Sequence, residues 1–138
     1  MCIDVYFSKR LCSIPSLGIF LWHEGITPEY KGLYSPFWAL LNEDYDKLGW
    51  SFLQMNKHID AGPIYAQGKV KDIDIRNDFY GYIRHKAVVD SLQEIEQLLI
   101  KIENHTAEPI NCNRRKSGYY SYIGFSDALK YIFKKYFK

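Results

Sequence analysis

Charge of one sign, paired cysteines and long apolar runs are all scarce in this chain. Eighteen Lys and Arg against sixteen Asp and Glu leave a net charge of +2, too small to argue for nucleic acid as a partner. No apolar run reaches the roughly 20 residues needed to span a bilayer. Met1-Cys2-Ile3-Asp4 lacks the basic stretch and long apolar segment of a secretory signal. The cysteines, Cys2, Cys12 and Cys112, form no metal-ligand spacing. Their odd number, without a signal, points to reduced thiols in a cytoplasmic protein. His58 and His85 have no metal-like partners nearby in the sequence, so no metal is expected.

Apolar and aromatic side chains are plentiful instead, and 138 residues suffice for one domain with a real core. Ile3 to Phe7 reads as a short apolar strand. Gly18-Ile19-Phe20-Leu21-Trp22 is a continuous apolar run of strand length, the pattern of a strand buried on both faces in a parallel sheet. His23 then falls at its carboxyl end, where ligand sites gather in open α/β sheets. A loop punctuated by Gly25, Pro28 and Gly32 follows. Ser35-Pro36 reads as an N-cap and first helical residue, opening a helix to about Asn42. Strands are expected over Trp50–Met55 and Ile64–Val70, joined by a loop over Asn56–Pro63. Asn77 or Asp78 is expected to cap the longest helix, to about Glu103. Its apolar face is read as Ile83, Ala87, Leu92, Ile95, Leu98, Leu99 and Ile102. Residues 104–123 are polar, then Tyr-rich and extended. Ser126 is read as the cap of a last helix, docked through Leu129, Ile132 and Phe133.

Two residues stand out chemically. His23 and Asp60 each sit on a turn stiffened by Gly and Pro, and a His with a carboxylate is the usual pair for acid–base work on a carbonyl or amine. Each has a plainer reading. His23 can be a partly buried strand-end residue. Asp60-Ala61-Gly62-Pro63 is ordinary turn chemistry, with the Asp bonding its own backbone. Glu24 reads as an exposed loop carboxylate and Lys31 as a solvated cation that can also meet a phosphate or carboxylate. Trp38 reads as core. Asn113-Arg114-Arg115-Lys116 beside Tyr119, Tyr120 and Tyr122 is too short a cluster to imply nucleic acid. The basic C-terminal helix suits docking better than a membrane surface.

The order of these turns resembles the folate-dependent formyltransferases, which act on glycinamide ribonucleotide, initiator methionyl-tRNA or amino sugars. The resemblance runs over residues 5–104. It rests on His23, Pro28, Lys31-Gly32, Trp38-Ala39, Gly49 with Ser51, Asp60-x-Gly62 and Gln67. It implies an α/β fold, a formyltransferase-like three-layer sandwich with a mainly parallel sheet, lacking the amino-terminal Rossmann-like half. Residues 1–104 would be the partial catalytic domain and 105–138 a tail with a basic helix. By resemblance the chain is a one-carbon transferase moving a formyl group from 10-formyltetrahydrofolate to a small amine, an amino sugar or nucleotide-linked sugar being favoured. His23 would stabilise the developing oxyanion and Asp60 would manage its proton. Met55, Asn56, Lys57, His58, Ile59 and Asp60 would hold the folate head, and Lys31 the substrate. A homo-oligomer or a separately encoded amino-terminal half would cover the exposed sheet, with no nucleic acid or membrane partner. The family's Asn two residues before the His is Leu21 here. Leu has no polar atom, and the neighbouring Trp22 indole belongs to the opposite face. The alternative is therefore a truncated or degenerate member without turnover, acting as a folate- or partner-binding remnant.

Overall fold

The computed structural model describes residues 8–137, so the strand expected at Ile3–Phe7 lies outside the described residues. In chain order the elements are α1 (Lys9–Cys12), β1 (Phe20–His23), β2 (Lys31–Gly32), α2 (Ser35–Leu41), β3 (Gly49–Gln54), β4 (Ile64–Lys69), α3 (Tyr80–Glu103), β5 (Tyr119–Tyr120) and α4 (Phe125–Phe137). A single 3₁₀ turn, Tyr45–Lys47, joins α2 to β3.

The main sheet has the order β1-β3-β4, and both of its pairings are antiparallel. This corrects the mainly parallel arrangement expected from the continuous apolar strands. Such a run reports burial on both faces, not strand direction. β3 is buried along nearly its whole length because it is central and carries α3. The short 55–63 loop also returns the chain beside β3, whereas a parallel neighbour needs a crossover of a dozen or more residues. The only parallel pairing among the described residues is the two-residue contact of β2 with β5.

Trp50, Phe52 and Ala66 from the sheet and Leu48 just before β3 meet Ala39 and Leu40 of α2 and Ile83, Ala87, Leu98 and Ile102 of α3 in one core. The buried row of α3 is Ile83, Ala87, Ser91, Leu98 and Ile102. Leu92 and Leu99, expected on that face, are 60% and 50% exposed. Ile83, Ala87, Leu98 and Ile102 are buried as expected and Ile95 packs against the core, but the inward place beside Leu92 is taken by Ser91. Its hydroxyl accepts from the Trp22 indole N–H at 3.0 Å and donates to the Val88 carbonyl.

Three helix starts differ from expectation. Tyr34, in the left-handed region at φ 56, precedes α2, and Ser35 is already helical. Phe79 precedes α3. Asp78 instead accepts from the Asp74 N–H, while Asp74 accepts from Arg76 and Asn77 N–H groups, so both carboxylates close their own turn. α4 begins at Phe125, with Asp127 rather than Ser126 accepting from the Gly124 N–H.

α4 docks through Tyr131, whose ring packs on Phe37 at 5.0 Å, and through Lys134, which donates to the Leu41 carbonyl. Leu129, Ile132 and Phe133, expected on the docking face, are 51%, 47% and 63% exposed. Trp38 is only partly buried. Its ring stacks on Tyr120 and its N–H donates to the Ser121 carbonyl. Among the described residues, no helix is long and apolar enough to cross a membrane.

Candidate functional site

His23 ends β1, paired with Ser51 of β3, and is 6% exposed. Side chains alternate along a strand, so Leu21 and His23 share a face and Trp22 turns to α3. The His23 Nε2 lies 2.7 Å from the Tyr30 carbonyl oxygen and 3.2 Å from Ser35 Oγ. A carbonyl can only accept, so this bonding assigns the proton to Nε2. Nδ1 then faces Asp60 Oδ2 at 3.5 Å. That separation is long for a hydrogen bond.

Asp60 is positioned from both sides. Its φ is 47, in the left-handed region, which Asp tolerates better than most residues. Its Oδ2 accepts from the Gly32 N–H at 2.8 Å, so the carboxylate spans to the β2 turn rather than folding onto its own. Gly32 has φ 94, and a Cβ there would lie 2.0 Å from the Tyr120 carbonyl oxygen. Only glycine fits where the chain passes this close. Lys31, expected to meet substrate, stands next to it in β2 and is half-buried.

A second hydrogen-bond system fixes the 24–30 turn. Ser51 Oγ donates to the Gly25 carbonyl at 2.6 Å and accepts from the Thr27 N–H at 3.0 Å. The Gln67 amide donates to Ser51 Oγ and to the Thr27 carbonyl. Arg115 donates to Gln67 Oε1 at 2.6 Å and binds Glu29 through two of its nitrogens. Lys47 also donates to Glu29, at 2.8 Å. Burial works to raise the Glu29 carboxyl's pKa, but hydrogen bonds from Arg115 and Lys47 outweigh it and hold the pKa below its ordinary 4.5. Backbone bonds complete the staple, with Gly118 N–H donating to the Pro28 carbonyl and Leu33 N–H to the Tyr120 carbonyl.

Glu24 is not an exposed loop carboxylate. It is 8% exposed and paired with Arg84 of α3. The turn from His23 to Thr27 is buried at every residue.

The Met55–Ile59 loop leads into Asp60. Asn56 shapes it by accepting from the His58 N–H at 2.8 Å and donating to the Ala61 carbonyl at 3.0 Å. Lys57, His58 and Ile59 are exposed, while Met55 and Asn56 are half-buried. The structure thus brings His23, Asp60 and the β2 turn together and leaves the 57–59 rim open beside them.

Reading the sequence missed Ser35 and Arg115 as members of this assembly. Ser35 was read as a cap. Its hydroxyl in fact donates to the Tyr30 carbonyl at 3.1 Å and meets His23. Arg115 carries no local signal, since its partners are 48 and 86 positions away.

No protein-family profile matches the chain. A methionyl-tRNA formyltransferase from Thermotoga neapolitana is 30% identical over 96 residues, covering 70% of this chain and 30% of the relative. A GDP-perosamine N-formyltransferase from Brucella melitensis biotype 1 is 21% identical over 94 residues, 68% of this chain and 35% of the relative. The fold is similar to that of a formyltransferase from Anoxybacillus kamchatkensis solved with a UDP-linked formamido sugar and tetrahydrofolate. The TM-score is 0.71 at 16% identity, over 94% of this chain and 65% of that one. The chain therefore spans about a third of these curated relatives and about two thirds of that solved structure.

Proposed function

We propose that this chain, which belongs to the formyltransferase family, transfers a formyl group to the amine of an amino sugar or nucleotide-linked sugar. The donor in this reading is 10-formyltetrahydrofolate, which supplies an electrophilic formyl carbon when bound. The carrying observation is the buried His23–Asp60 pair, 3.5 Å apart at the carboxyl end of β1. The sugar acceptor is supported by the resemblance to sugar N-formyltransferases.

In this reading the His23 N–H at Nε2 turns from the Tyr30 carbonyl to the formyl oxygen as negative charge develops there. The attacking amine loses one proton while its nitrogen bonds the formyl carbon. Asp60 accepts that proton directly or through a water, and it returns to the departing nitrogen as the old carbon–nitrogen bond breaks. Met55 to Ile59 hold the folate head along the loop edge, and Lys31 meets the acceptor. Residues 1–104 form the transferring unit and 105–138 a tail that braces its 28–33 turn.

Leu21 favours a second reading, a family member that binds folate without turnover. It stands where the family carries its amide donor. Titration with 5-formyltetrahydrofolate separates these readings from a chain that has lost the site. Micromolar binding that weakens in Asp60→Ala supports a folate site. A folded protein with no heat of binding removes both. Formyl transfer to an amino-sugar nucleotide then separates the enzyme from the remnant.

A further inference from the structure

A pocket of about 530 Å³ opens between the end of α2, the turn before α3 and the last turns of α4. It contains none of His23, Asp60, Ser35 or Tyr30, and it stands independently of the formyl-transfer reading. Its volume falls within the roughly 300–1,000 Å³ of small-molecule sites. Arg76, Lys134 and Lys135 bring three cations to it, and Tyr45, Tyr131 and Tyr136 bring three rings.

The charge balance favours an anion. Glu43 is the one carboxylate among the lining residues, and Lys134 faces it at 2.8 Å. Lys135 is held by a neutral group, the Asp78 carbonyl. The nearby Asp74 and Asp78 carboxylates are turned to N–H groups of their own turn. The rings of Tyr45 and Tyr136 are 43% and 69% exposed beside these cations. Such rings offer a face for stacking at little ordering cost. The Tyr131 hydroxyl is buried beside the Tyr80 backbone, with no acceptor for its proton. A buried hydroxyl without an acceptor is costly, and a ligand oxygen would relieve it.

We infer that this pocket binds a small anion carrying a planar ring, of the nucleoside phosphate class. Phosphate oxygens would meet Arg76, Lys134 and Lys135, and the base would stack on Tyr136 or Tyr45.

The test is calorimetric titration of the whole chain with uridine and adenosine monophosphates, with inorganic phosphate as control. At least one nucleotide is expected to bind about tenfold more tightly than phosphate. Arg76→Glu and Tyr136→Ala alter exposed side chains, so the fold should hold, as checked by circular dichroism. Each should weaken binding about fivefold or more. Saturating 5-formyltetrahydrofolate should not displace the nucleotide. Absence of nucleotide binding up to about 5 mM would overturn the inference. So would phosphate binding as tightly as the nucleotides, indifference to both substitutions, or displacement by the folate.

Discussion

Asp60 Oδ2 faces His23 Nδ1 at 3.5 Å while holding the Gly32 N–H at 2.8 Å. One Asp60 oxygen therefore serves both the candidate histidine and the β2 turn, so two substitutions separate the roles. Asp60→Asn keeps an acceptor for Gly32 and tolerates φ 47. It should leave the thermal midpoint nearly unchanged and lower formyl transfer by about 10²–10⁴. Asp60→Ala should lose activity and also about 1–2 kcal/mol of stability through backbone strain. Equal activity in wild type and Asp60→Asn would remove Asp60 from the chemistry.

Ser35 places a buried hydroxyl 3.2 Å from His23 Nε2. If Ser35 compensates for the absent amide, Ser35→Ala should cost about 10²–10³ in kcat. Leu21→Asn should then restore much of that loss in the Ser35→Ala background and add little in the wild type. Steady-state kinetics of the four variants checks this. A large gain from Leu21→Asn in the wild type would show that Ser35 does not substitute.

Glu29 joins the turn to Arg115 and Lys47, and its carboxyl titrates below 4.5 in the folded chain. A depressed folded pKa stabilises above the unfolded value and loses that contribution as pH falls through the folded one. Thermal midpoints measured from about pH 6 to about pH 3 should therefore fall below about pH 4.5. The fall should be shallower in Glu29→Gln. Arg115→Ala should cost about 1–3 kcal/mol near neutral pH, since it leaves Glu29 and Gln67 without their shared donor.

Gly62 lies where the loop passes the end of β3. A Cβ there would sit 1.7 Å from the Gln54 carbonyl oxygen. Because the obstacle is backbone, no side-chain rotation relieves it. Gly62→Ala should destabilise by about 1–3 kcal/mol and weaken 5-formyltetrahydrofolate binding more than a remote change of equal stability cost. Chemical denaturation and calorimetry on the same preparation distinguish the two effects.

Much of the frame was legible in local pattern. The Phe20-Leu21-Trp22 run is β1, and the strands at β3 and β4 fall within a residue or two of their expected ends. Pro36 does mark the start of α2, because its fixed φ and missing N–H suit a first helical turn. The α3 stripe was legible as a helix and in phase at Ile83, Ala87, Leu98 and Ile102. Ser91 took an inward position that hydropathy alone gives to Leu92.

The sequence by itself determined which segments could be strands, helices and tight turns, because dihedral preference and apolar period act over a few residues. It also set His23 and Asp60 on stiffened turns. Only the tertiary structure decided that the sheet runs antiparallel, that Glu24 is buried against Arg84 and that Ser35 meets His23. It alone brought Arg115 across 86 positions to Glu29. These outcomes depend on which surfaces the sheet and α3 bring within hydrogen-bond reach, and a contact of a few ångströms between distant residues leaves no period in the chain to read.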